Sequence, residues 1–85
     1  MEKRIALVGI IVENLEMTEQ LNHILHQYSE YIVGRMGIPY RDRGVSIISI
    51  VVDAPNSVIS SLSGKLGMLE GLTVKTIYQK AGSPQ

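Results

Sequence analysis

Two runs of eight residues, Ile5-Ala6-Leu7-Val8-Gly9-Ile10-Ile11-Val12 and Val45-Ser46-Ile47-Ile48-Ser49-Ile50-Val51-Val52, constrain this chain more than any other feature. Neither approaches the roughly 18 apolar residues of a membrane span, and neither has the polar face of a surface helix. A bounded apolar run of this length, rich in β-branched side chains, reads as a strand with apolar residues on both faces. The rest of the inventory agrees: Ile and Val make up 19 of the 85 residues, while Phe and Trp are absent, and β-branched side chains pack well on pleated surfaces. Lys3-Arg4 ahead of the first run superficially resembles a short leader. Glu13-Asn14-Leu15-Glu16 stands where small cleavage-site residues would have to be, so the strand reading is preferred.

Between and beyond these runs the hydrophobic period changes. After a strand expected over 4–13, Met17, Leu21, Ile24, Leu25 and Tyr28 form one stripe, with Glu19, Gln20, Asn22, His23, His26 and Gln27 off it; this is an amphipathic helix expected over about 16–27. Residues 31–38 alternate less cleanly and carry Gly34 and Gly37, with Pro39 next, the pattern of an edge strand that tolerates bends. Tyr40-Arg41-Asp42-Arg43-Gly44 is the expected turn into the second apolar run, which Asp53 is expected to end. Ala54-Pro55-Asn56-Ser57 opens a second helix with Val58, Ile59, Leu62 and Leu66 as its stripe and Gly67 as its stop. Gly71 then turns the chain into a last strand over 72–79. Residues 1–80 are expected to be one domain and 81–85 a tail.

The order β-α-β-β-α-β at this length predicts an α+β fold: a ferredoxin-like sandwich, with a four-stranded antiparallel sheet and two helices on one face. In that topology the first and third strands are central and the other two are edges. The same two strands are the apolar ones, while the second and fourth carry the glycines, the proline and the charges. Two helices can cover only one face of the sheet, yet both central strands are apolar on both. The uncovered face is too large an apolar patch for a monomer, so a homo-oligomer, dimer or tetramer, is expected through the open face or the strand edges.

Charge and composition exclude several functions. Eight basic residues balance eight acidic ones, which leaves no overall basic field to draw the chain to nucleic acid or an anionic membrane. With no cysteine, disulfides, thiolate zinc sites, cysteine-ligated iron–sulfur clusters and thiol nucleophiles all drop out; an intracellular, cytoplasmic chain fits this. Ser63-Gly64-Lys65-Leu66 lacks the earlier glycine and the following hydroxyl of a phosphate loop, so it reads as helix interior. No serine has a histidine and an acid in a local motif, and no glycine fingerprint follows a strand, so nucleophilic and nucleotide chemistry have no positive support and the cofactor is left unknown.

Three groups remain as candidates. Glu13 and Asn14, with Glu16, make an acidic loop after the first strand. Arg35, Tyr40, Arg41 and Arg43 form the one concentrated basic spot, where planar guanidinium groups beside a glycine-containing strand are suited to grip a carboxylate or phosphate. His23 and His26, three apart with Glu19 a turn earlier, are weak metal candidates without a third strong ligand in the local motif. The expected ligand is a small anionic or zwitterionic molecule at a subunit boundary, touching at least one of these arginines. The alternative is a small enzyme or metal-binding protein that uses the Arg/Tyr anion pocket or the His23/His26 pair.

The stretch GRMGIPYRDRGVSIIS at 34–49 and the first strand with its exit, IALVGIIVEN, resemble the signature of the small ACT-like proteins regarded as regulators of iron-only hydrogenase systems. LSGKLGMLEGLTVKT at 62–76 fits a broader ACT-type pattern of a helix turning into a final edge strand. The resemblance spans most of residues 4–80. It implies an ACT-like or nickel-regulator-type domain, self-associated, cytoplasmic, with a sensing or regulatory role and no established reaction. The chain departs from nickel-responsive regulators in having no cysteine and in placing both histidines on a helix. It departs from amino-acid-binding ACT domains in the loop at 13–16, which holds no glycine.

Overall fold

The computed structural model describes residues 2–80; the expected tail at 81–85 lies outside them. Strands β1 (Lys3–Val12), β2 (Ile32–Tyr40), β3 (Val45–Pro55) and β4 (Leu72–Tyr78) form one antiparallel sheet in the order β2-β3-β1-β4. Helices α1 (Thr18–Gln27) and α2 (Asn56–Gly67) pack on one side of it. This is the expected ferredoxin-like α+β sandwich, with the two apolar runs in the centre.

The core lies between helices and sheet. Alternate residues of the central strands point into it, Ala6, Val8, Ile10 and Val12 from β1 and Ile48, Ile50, Val52 and Ala54 from β3. Leu21 and Leu25 of α1 and Ile59, Leu62 and Leu66 of α2 meet them, and all are buried. Each such Ile or Leu contributes about 1.5–3 kcal/mol through removal from water. Ile24, Tyr28 and Val58 of the two stripes pack half-buried against the same cluster, whereas Met17, expected in the first stripe, precedes α1 and is not part of that packing.

Element ends differ from the sequence expectations for local reasons. The chain leaves β1 through a 3-10 turn at Leu15–Met17, so α1 starts at Thr18 rather than near residue 16; Asn14 caps this turn by accepting the Glu16 N–H at 3.1 Å. β2 continues through Pro39 to Tyr40. Its outer side has no neighbouring strand, so a residue without an N–H is tolerated there. A register shift between Ile32 and Gly34 inserts Val33 as a bulge, the bend anticipated for this strand. β3 runs past Asp53 to Pro55, because Asp53, Ala54 and Pro55 remain paired with Ile5, Arg4 and Lys3, and α2 accordingly begins at Asn56. Ser63, Gly64 and Lys65 lie within α2, as helix interior.

The opposite face of the sheet carries no helix. Ile5, Leu7 and Ile11 of β1, Ile47 of β3, Met36, Ile38 and Tyr40 of β2 and Ile77 of β4 stand on it, each between 39% and 67% exposed. Register arranges them in rows across all four strands: Ile77, Leu7 and Val51 in one, and Ile11, Ile47 and Ile38 in another. Between these rows, Gly9 pairs with Ser49.

Candidate functional site

The candidate residues divide between one end of the sheet and the helix side. Val12 pairs with Ser46, and Ser46 with Pro39, so the acidic loop after β1 and the hairpin after β2 leave the sheet at the same end. Two strand spacings, about 10 Å, separate them. The Glu13–Asn14 backbone is committed to the fold: the N–H groups of both residues donate to the Gly71 carbonyl, at 2.7 and 3.3 Å, and the Asn14 side chain is the cap already described. Gly71 is required there. Its φ is +80°, and a Cβ at that position would run into the Cβ of Asn14. The Glu13 carboxylate is left exposed.

The basic group does not converge on one point. Arg41 and Arg43 sit in a 3-10 turn that Gly44 closes with a φ of +66°, and both are exposed. Tyr40 pairs with Val45 and faces the open side of the sheet. Arg35 pairs with Ile50, a core residue, and therefore projects on the helix side. There its guanidinium donates to Oδ1 of Asn22 on α1 at 3.2 Å. The sequence grouped these residues by proximity along the chain; strand alternation places Arg35 and Tyr40 on opposite faces.

The two histidines are separated as well. Two open grooves flank α1. One, of about 500 Å³, is lined by Glu19, Gln20, His23, Ile24 and Leu69. The other, of about 310 Å³, is lined by Asn22, Leu25, His26, Ser29, Ile32 and Arg35. His23 and His26 thus line different grooves, and among the described residues no group of three or more His, Asp or Glu is placed to hold a metal ion. His26 and Arg35, which the sequence reading kept in separate groups, line the same groove.

Two further polar constellations were not anticipated. Arg4 donates to the Gln79 carbonyl and to Oδ1 of Asn56 at 3.0 Å, with its guanidinium 5.0 Å from the centre of the Tyr78 ring. It ties the start of β1 to α2 and to the residue after β4. Tyr28, at the end of α1, shares a 2.8 Å hydrogen bond with Ser61 of α2, and the Lys65 ammonium lies 5.2 Å from its ring centre. The Ser61 hydrogen bond, aided by Lys65 against the opposing effect of burial, holds the Tyr28 phenol below its ordinary value. No periodicity in the sequence marks pairs 33 or more residues apart.

A small α+β domain of ferredoxin-like fold is the class these features define, and the comparisons give the family. Residues 4–76 match the model of the TM1266-like family, whose description reads "Iron-only hydrogenase system regulator, putative", and the chain belongs to that family. It is similar to the solved structure of the uncharacterized protein TM1266 from Thermotoga maritima, with 40% identity and a TM-score of 0.89 over 93% of this chain and 100% of that one. No curated protein matches. Among the described residues no helix is long and apolar enough to cross a membrane.

Proposed function

We propose that the protein is a cytoplasmic regulatory or sensing module that works as a homo-oligomer of two or four copies and catalyses no reaction of its own. It acts by binding a small anionic or zwitterionic ligand or by contacting another protein of the system it regulates. The family description supports the regulatory reading. The observation that carries self-association is the uncovered sheet face, where eight large apolar side chains from all four strands stand between 39% and 67% exposed. Monomers rarely leave a contiguous apolar patch of more than a few hundred Å² in water, and a second copy presents the same apolar rows in return. Glu13 and Asn14 at one end of the sheet, with Tyr40, Arg41 and Arg43 at that same end and Arg35 on the helix side, are the ligand-binding candidates within one domain over 1–80.

Sedimentation velocity at micromolar concentration tests this reading. A species of two or four times the 9.4 kDa chain mass is expected. A single 9.4 kDa species would overturn self-association.

A further inference from the structure

The groove between the end of α1 and the β2 edge has a consistent chemistry. Its polar lining groups are Asn22, His26, Ser29 and Arg35, and among the described residues no carboxylate lines it. Arg35 can only donate, so the bond to Asn22 fixes that amide with its oxygen toward Arg35 and leaves its NH₂ group free to donate elsewhere. The bond to Asn22 engages one of the five guanidinium N–H groups. An imidazole N–H at His26 and a hydroxyl at Ser29 complete a set that offers hydrogen-bond donors. The remaining lining is apolar, Leu25 buried and Ile32 half-buried. At about 310 Å³ the groove is at the small end of the range for small-molecule sites.

We propose that this groove binds a small carboxylate with a short apolar tail, its carboxylate held by Arg35 and His26 and its tail lying against Ile32 and Leu25. A guanidinium grips a planar carboxylate through two parallel hydrogen bonds, and the apolar floor adds recognition that bare phosphate cannot use. With donors on its polar side and no acid lining it among the described residues, the groove offers an α-ammonium group no charged partner there, so a simple carboxylic acid is preferred over the matching amino acid. The site lies within one chain and on the helix side, away from the open sheet face. It rests on the ligand-binding half of the proposed function and is independent of self-association.

The test is a titration of isotopically labelled protein with butyrate, 2-aminobutyrate and inorganic phosphate, following Arg side-chain N–H, His26 ring and Ile methyl resonances. Butyrate is expected to give saturable shifts at Arg35, His26 and Ile32, with an affinity on the order of 1–10 mM, and to bind more tightly than the other two probes. Arg35→Gln should weaken butyrate by roughly tenfold or more and His26→Asn by a smaller factor, while Lys80→Ala, which removes a charge elsewhere, should leave it unchanged. Unshifted groove resonances, wild-type affinity in Arg35→Gln, equal weakening in Lys80→Ala, or phosphate binding as tightly as butyrate would each overturn the assignment. Shifts at Arg41 and Arg43 in place of Arg35 would refute the groove and leave the ligand-binding reading standing; saturable shifts nowhere in the protein would count against both.

Discussion

At the scale of single residues, the strictest requirement falls on Gly71, in the turn before β4. It meets two demands at once: a left-handed φ of +80° and space for the Asn14 Cβ. Its carbonyl also receives the N–H groups of Glu13 and Asn14, so the turn and the loop after β1 hold each other. Replacing Gly71 with Ala should therefore cost about 1–3 kcal/mol, read as a lower midpoint in urea with the slope unchanged. Gly44 has a comparable φ of +66°, but a Cβ there would meet open space, so Gly44→Ala should be the milder of the two. Wild-type stability in Gly71→Ala would show that the loop shifts without cost. Gly71 was legible as a turn from its place between a helix and a strand, whereas its contact with Asn14, 57 positions earlier, has no local sequence signal.

At the scale of elements, the central strands were legible as bounded β-branched apolar runs, and both helical stripes because a 3.6 periodicity records which face is buried. Leu21, Leu25, Ile59, Leu62 and Leu66 are buried as the stripes require. The candidate site was less legible for the same reason: periodicity reports burial, and every basic candidate is exposed. Arg35 belongs with His26 only because β2 runs along the core edge beside α1, a pairing fixed by sheet order rather than by spacing. The Tyr28–Ser61 bond between α1 and α2 is likewise a product of tertiary packing, and it makes a pH-dependent prediction. Tyr28 ionises below its ordinary value of 10.0 chiefly because the Ser61 hydroxyl donates to the phenolate. A depressed folded value means that this stabilisation is lost as pH falls through the folded value and is complete above the unfolded one; it acts only under alkaline conditions. Ultraviolet titration of the four tyrosines should show one ionising early, and Ser61→Ala should move that transition back toward the others. An unmoved early transition in Ser61→Ala would assign the depression to Lys65 instead.

At the scale of the whole molecule, one sheet has two unequal faces: helices seal one, and the other presents rows of Ile, Leu, Val and Met to water. Ile47 is the residue to probe, since it stands on a central strand between Ile11 and Ile38 in the open-face register and is 41% exposed. In an isolated chain an Ile47→Glu carboxylate would remain hydrated, and a surface substitution of this kind usually changes stability by no more than about 0.5 kcal/mol. Buried against a second copy, the same carboxylate would lose its water without gaining a charged partner from the facing apolar rows, at a cost of several kcal/mol per ion. The two environments therefore predict different behaviour from one substitution. The wild-type protein should melt at a temperature that rises with its concentration, because association stabilises the folded state by mass action. Ile47→Glu should sediment at the mass of one chain and lose that concentration dependence, with its far-ultraviolet circular dichroism unchanged. If Ile47→Glu instead keeps the wild-type mass and concentration dependence, the open face is not where the copies meet, and the exposed edges of β2 and β4 become the contact to test.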